Sequence, residues 1–256
     1  MGRGHAHALH VHGHSVVHRL APEVKIIAAI TFVFAVAVTP RAAVPAFVVQ
    51  AMAIAAVGRI AGVPLPFIAA RMLILAPFLI AAAMLPFVAS GERITVLGIP
   101  LAVEGLWGAW NVVAKATIGV STSITLAATT EVPRLLRGLE RLRVPAVLTQ
   151  IATFMVRYLE VVAGEVARQR AAMLARAHDP RWLWQARAIA TSAGALFVRS
   201  YERGERVHGA MLARGYTGTM PQPSGVADAT PGQWLAAAAL PAVGTAAALI
   251  GWMVTA

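Results

Sequence analysis

Five long apolar runs set the pattern of this chain, at about 23–39, 42–57, 67–89, 106–130 and 233–255. A membrane-spanning helix takes roughly 17 to 25 predominantly apolar residues. The first two runs sit at the short end of that window and the third fills it comfortably. The fourth carries Lys115 and a set of hydroxyls (Thr117, Ser121, Thr122, Ser123, Thr125), so it belongs inside a bundle rather than against lipid. Pro40, Pro45, Pro64, Pro66 and Pro100 fall between runs or near their ends, where a missing N–H costs little. Pro77 and Pro86 fall inside the third run, which is expected to kink or to lose its last turn there.

The stretch 131–215 differs in kind, because fourteen arginines are spread along it. One arginine at the centre of a bilayer costs about 2.5 to 3.5 kcal/mol even on the lenient insertion scale, so most of this region is expected outside the hydrocarbon. It still reads as helical. Pro133 suits a first helical turn, and Leu135, Leu136, Leu139 and Leu142 then share one face. Val144-Pro145 breaks that helix, a long one follows over about 146–177, and Asp179-Pro180 stops it. Its first third (Val147, Leu148, Ile151, Phe154, Met155) is apolar enough to dip into a membrane. Another helix is expected over about 183–214, ending at Gly215 as a left-handed cap.

Composition agrees with a membrane protein. Hydrophobic residues make up 58% of the chain and charged residues only 13%, about half the share usual in a soluble domain. The net charge of +11 is nearly all arginine, since Lys25 and Lys115 are the only lysines. Such a balance suits anionic lipid or an acidic protein partner, and few aromatics interleave the arginines as a nucleic-acid surface would need. With no cysteine, disulfides and thiolate chemistry drop out. No cleavable leader is evident, so the N-terminus is expected to be retained. Loop charge then places both the N-terminus and the arginine-rich region on the cytoplasmic side of a cell (inner) membrane. Arg41 and the Glu92-Arg93 pair lie on the opposite side.

The most informative feature is a near-repeat. Ala172-Met173-Leu174-Ala175-Arg176-Ala177 recurs as Ala210-Met211-Leu212-Ala213-Arg214-Gly215, each copy closing one of the two long helices. A guanidinium between small residues leaves room for another surface and can pair bidentately with a carboxylate. The plain alternative is that cationic residues favour helix C-termini and that alanine-rich helices repeat by chance.

On three stretches the chain resembles the transmembrane T component of energy-coupling factor transporters, specifically the CbiQ-like subunit of cobalt importers. The first is His18-Arg19-Leu20-Ala21-Pro22-Glu23-Val24-Lys25. The second runs from Thr129-Thr130-Glu131-Val132-Pro133-Arg134 through Leu135-Leu136-Arg137-Gly138-Leu139-Glu140 to Arg141-Leu142-Arg143-Val144-Pro145. The third is the pair of Ala-Arg-small motifs. The resemblance covers nearly the whole chain. It implies that Arg176 and Arg214, flanked by Ala175, Ala177, Ala213 and Gly215, insert into grooves on two ATP-binding-cassette (CbiO-like) subunits and contact acidic residues. Ala177 departs from the glycine of the family pattern. It also implies a CbiM-like substrate-binding membrane subunit held on the apolar faces of the coupling helices, with a small CbiN-like subunit. ATP and Mg would act in the partner ATPases, and this chain would transmit movement with no cofactor or catalysis of its own.

The histidine-rich start supports two readings. His5, His7, His10, His12 and His14 alternate in a way that can chelate cobalt, nickel or zinc weakly, and equally suit a low-complexity tail. The tail tilts the cargo toward a transition metal, cobalt or nickel, over a vitamin. Glu160 and Glu165 are expected in intrahelical pairs, Lys115 in a bundle pair or snorkelling, and Trp182, Trp184 and Trp234 at the interface. No glycine-rich phosphate loop with lysine and no His-Glu-x-x-His pattern is present. The expected architecture is an all-helical integral membrane protein of about five spans with a cytoplasmic module of three coupling helices. Its parts are a tail (1–20), a four-helix membrane region (21–130), the coupling helices (131–216), a linker (217–232) and a last span (233–256). Two rivals are a membrane-embedded enzyme using Lys115 and Glu104, and a self-sufficient divalent-metal permease.

Overall fold

The computed structural model describes residues 13, 15–96, 99–177, 186–218 and 229–255. In chain order the helices are α1 (Val16–Arg19), α2 (Pro22–Val38), α3 (Val44–Ile60), α4 (Leu65–Arg71) and, after a 3-10 turn at Met72–Leu75, α5 (Ala76–Val88). A two-stranded hairpin follows, β1 (Arg93–Val96) and β2 (Ile99–Ala102). Then come α6 (Val103–Thr129), α7 (Val132–Arg141), α8 (Ala146–Ala175), α9 (Ala186–Leu212) and α10 (Pro231–Thr255). The chain forms two compact units, one of residues 9–142 with 227–256, the other of residues 1–8 with 143–226.

The first unit is a helical bundle. Phe32 and Val36 of α2, Phe47 and Ile54 of α3, and Ala114 and Ile118 of α6 make its core. α10 lies close against α2 because Gly244 faces Phe32: a Cβ there would stand 2.7 Å from the ring. Small residues allow this approach where lipid supplies no hydrophobic force to press helices together. The Gln50 side chain, fully buried, ties three helices through its amide, which donates to Thr39 Oγ1 (3.0 Å) and to the Gly244 carbonyl (3.1 Å). The hydroxyls of Ser121, Thr122, Ser123, Thr125 and Thr129 bond back along α6, as Thr122 does to the Ile118 carbonyl at 2.8 Å, so most of the polar run is satisfied locally.

Four described helical stretches are long and apolar enough to cross a membrane: Pro66–Val88, Val103–Thr129, Ala146–Ala175 and Pro231–Thr255, with Val44–Ile60 shorter. The chain is an all-α, multi-pass membrane protein. Two details differ from the sequence reading. The third span breaks ahead of its prolines, at the 3-10 turn, so that Pro77 falls in the first turn of α5, where its missing N–H is harmless. Pro86 stays within α5. The β1–β2 hairpin, with Arg93 opposite Ala102, was not expected. Its strands are four residues each, too short for a period-two pattern to show. A third point concerns α8, which meets the length and composition of a span although the arginine density of the whole region argued against one.

Two of the motif stretches fold onto each other at the start of α2. Lys25 is buried, and its ammonium donates to the Thr129 carbonyl (3.0 Å), Thr130 Oγ1 (2.9 Å) and the His18 carbonyl (3.5 Å). Glu23, also buried, pairs with Arg141 of α7 at 2.8 Å. Gly138 brings α7 onto this turn, since a Cβ there would lie 2.9 Å from the Glu23 nitrogen and 3.0 Å from the Pro22 carbonyl carbon. The apolar face of α7 and its proline-led first turn were legible in the sequence, whereas this close approach was not.

Two outcomes follow for thermal unfolding of the detergent-solubilised chain. Gly138→Val forces backbone apart and should cost about 1 to 3 kcal/mol, the range for overpacking. Lys25→Met leaves the Thr129 carbonyl and Thr130 hydroxyl without their donor and should cost about 1 to 3 kcal/mol. A wild-type melting curve for both variants would contradict this account of the junction.

Candidate functional site: two arginine-capped helix ends

α8 begins after a backbone reversal at Arg143, whose φ is +63°, and Pro145 at its N-cap marks the break expected from Val144-Pro145. Its last regular residue is Ala175. The Arg176 amide then donates to the Met173 carbonyl (3.1 Å) and the Ala177 amide to the Leu174 carbonyl (2.9 Å). α9 ends in the same way. The Arg214 amide donates to Met211 (3.0 Å), the Gly215 amide to Leu212 (3.0 Å), and the Tyr216 amide returns to Met211 (3.0 Å), completing a Schellman cap. Gly215 takes the left-handed conformation at φ +82°, and Ala177 takes it at φ +55°. The substitution of alanine for glycine therefore does not abolish the turn. It forces a Cβ into a region that costs a non-glycine residue about 1 to 2 kcal/mol.

The near-repeat thus has a structural counterpart: each arginine stands at the same step of a helix stop. Both side chains are exposed, and neither has an ion-pair partner among the described residues. The small neighbours Ala175, Ala177, Ala213 and Gly215 leave each guanidinium approachable.

α8 and α9 run antiparallel. Near one end Ser192 Oγ meets Met173 Sδ (3.7 Å). Along the pair Glu165 bridges Arg168 of its own helix (2.7 Å) and Arg199 of the other. At the far end the Tyr216 hydroxyl donates to Gln150 Oε1 (2.7 Å). Arg214 therefore stands level with the first turns of α8, whereas Arg176 ends that helix. At 1.5 Å per residue the two arginines are separated by about 37 Å. An open apolar groove of about 490 Å³ lies between the helices, with Phe154, Tyr158 and Val162 on one wall and Leu196, Val207 and Met211 on the other. Outside it, Val147, Leu148 and Ile151 of α8 and Phe197 and Val198 of α9 are exposed.

The remaining sequence candidates fall elsewhere. Glu165 makes the intrahelical pair expected of it and adds the cross-helix one to Arg199. Lys115 donates to the Ala37 carbonyl at the end of α2 (2.8 Å), a bundle pairing. Glu104 pairs separately with Arg41 (2.6 Å), so the two residues of the enzyme reading are engaged with different partners. His5, His7, His10, His12 and His14, like Trp182 and Trp184, lie outside the described residues. Among the described residues no group of three histidines or acidic side chains could hold a metal ion. Sequence reasoning did not connect Gln150, inside the helix expected over about 146–177, with Tyr216, just past the end of the helix expected over about 183–214. The tyrosine two residues beyond the second arginine was the available signal.

Comparison with known proteins places the chain in a family. The model of the cobalt transport protein family CbiQ matches residues 13–224. The cobalt transport protein CbiQ of Rhodobacter capsulatus is 34% identical over 161 residues, 62% of this chain and 64% of that protein. The matched region thus spans less than two thirds of that relative. A protein of Methanocorpusculum labreanum, whose name proposes a fused cobalt transport protein CbiMQ, is 26% identical over 139 residues, 54% of this chain and 23% of its own length. An uncharacterized protein of Methanocaldococcus jannaschii is 27% identical over 128 residues, 49% of this chain and 48% of that one. With its match running from residue 13 to residue 224, the chain belongs to the CbiQ family of cobalt transport proteins.

Proposed function

We propose that this chain is the membrane coupling subunit of an ATP-driven cobalt importer, with Arg176 and Arg214 as its docking points for two ATPase subunits. The observation that carries the reading is the matched pair of exposed arginine caps at opposite ends of one antiparallel helix pair. Two separated guanidinium anchors suit two acidic grooves, one on each of two subunits. An anchor of this kind fixes direction as well as charge, because the planar guanidinium binds a carboxylate through two parallel N–H donors. A helix between such anchors moves as a rigid rod, so a displacement at its ends passes along its length.

The exposed apolar faces of α8 and α9 fit contact with a substrate-binding membrane subunit. A CbiM-like partner is favoured by the relative whose name joins CbiM and CbiQ in one chain. The family favours cobalt as the cargo, with nickel the alternative, and the arginine excess of 131–215 favours a cytoplasmic position for the coupling helices. ATP hydrolysis belongs to the ATPase partners in this scheme.

Loss of one charge-assisted contact costs about 1.5 to 3 kcal/mol, so Arg176→Ala or Arg214→Ala should each weaken ATPase capture about 10- to 100-fold. The double variant should lose capture and cobalt uptake while still folding into membranes. Full capture and uptake by the double variant would refute the docking assignment. At the strained cap, Ala177→Gly should relieve about 1 kcal/mol and raise amide protection at the end of α8 roughly fivefold, measured by hydrogen exchange. Faster exchange there would show that the left-handed turn at Ala177 is not strained.

A further inference from the structure

The stretch after the second arginine is tied down in a way its sequence does not suggest. Gln150 lies one turn into α8, and both ends of its amide are used. Its Oε1 accepts from the Tyr216 hydroxyl (2.7 Å), and its Nε2 donates to the Gly218 carbonyl (3.1 Å). Gly218 has φ +97°, which turns the chain back so that its carbonyl meets the amide. The Tyr216 ring also meets His208 of α9 edge to face, with centroids 6.4 Å apart. The Schellman bond from the Tyr216 amide to Met211 closes the backbone inside this set. Arg214 is thus followed at once by a segment held to its own helix and to the opposite one. The first motif copy has Ala177-His178 where the second has Gly215-Tyr216, so the tyrosine belongs to the second copy only.

From this geometry we infer that Gln150 and Tyr216 are positioning residues for Arg214: the amide–hydroxyl clamp fixes the end of α9 against the first turn of α8 and holds the arginine ready to dock. The inference rests on the coupling reading for what docks, and on the geometry alone for the clamp. A helix end would otherwise fray, and a long side chain on a frayed end must be ordered when it binds. Pre-ordering the backbone removes part of that cost. The clamp also makes Arg214 move with the N-terminal turn of α8, so a push on one is felt by the other without slack.

The test uses the full chain in lipid nanodiscs and the ATPase subunits that co-purify with it. Gln150→Leu removes both clamp bonds, and Tyr216→Phe removes one while keeping the ring. Hydrogen exchange at residues 214–218 should quicken about tenfold in Gln150→Leu and less in Tyr216→Phe, with residues 173–177 unchanged. Capture is then measured in two backgrounds. With Arg176→Ala present, capture depends on Arg214, and Gln150→Leu should weaken it about tenfold. With Arg214→Ala present, the same change should have no effect, whereas a general loss of folding would weaken both. Unchanged exchange at 214–218, or equal losses in the two backgrounds, would overturn the positioning role. So would faster exchange with undiminished capture in the Arg176→Ala background. If Arg214→Ala alone captures ATPase as wild type does, the docking reading fails and Arg214 has no docking to be positioned for. The exchange result then still decides whether the clamp exists.

Discussion

Ionic groups buried at the start of α2 govern how the bundle is assembled. Lys25 and Glu23 lie in the first turn of a helix made mostly of alanine, valine, isoleucine and phenylalanine. A charge taken out of water is costly unless polar partners replace its hydration. The partners come from far along the chain, from Thr129 and Thr130 at the end of α6 and from Arg141 at the end of α7. Satisfying them fixes where α6 must stop and where α7 must lie. Gly138 then sets how near α7 can come. Together these residues explain why two motif stretches more than a hundred positions apart fold into one junction.

The direction of the helix pair decides what the two arginines can reach. Both motifs occupy C-terminal helix ends, where the backbone carbonyls present partial negative charge and a guanidinium is welcome. A parallel pair would have set the two side by side. The antiparallel pairing, held by Glu165 with Arg199 and by Gln150 with Tyr216, separates them by most of the length of α8. Two anchors that far apart suit two binding grooves better than one. The proposed coupling role depends on that separation.

The two helices also keep much of their apolar surface uncovered within the chain, from Val147 and Leu148 through Phe197 and Val198. Exposed large apolar side chains in such number mark contact with lipid or with another protein. The first third of α8 is apolar enough for hydrocarbon, while Arg168, Arg170 and Arg176 toward its end are not. One helix thus changes character along its length, from a surface suited to hydrocarbon to one suited to water.

Periodicity and composition determined the helical class, the apolar runs and the proline-led start of α7, because hydrophobic length and fixed proline torsions act locally. The motif order pointed to the family, and Gly215 announced its own cap, since glycine alone takes that turn without strain. Tertiary structure decided the rest. That Ala177 accepts a left-handed turn, that the third span breaks before Pro77, and that α8 and α9 run antiparallel each depend on neighbours a local pattern does not contain. The Gln150–Tyr216 pairing spans 66 positions, and the Lys25 contacts span more than a hundred. A glutamine in a helix and a tyrosine in a connection carry no signal of each other until packing brings them within hydrogen-bond reach.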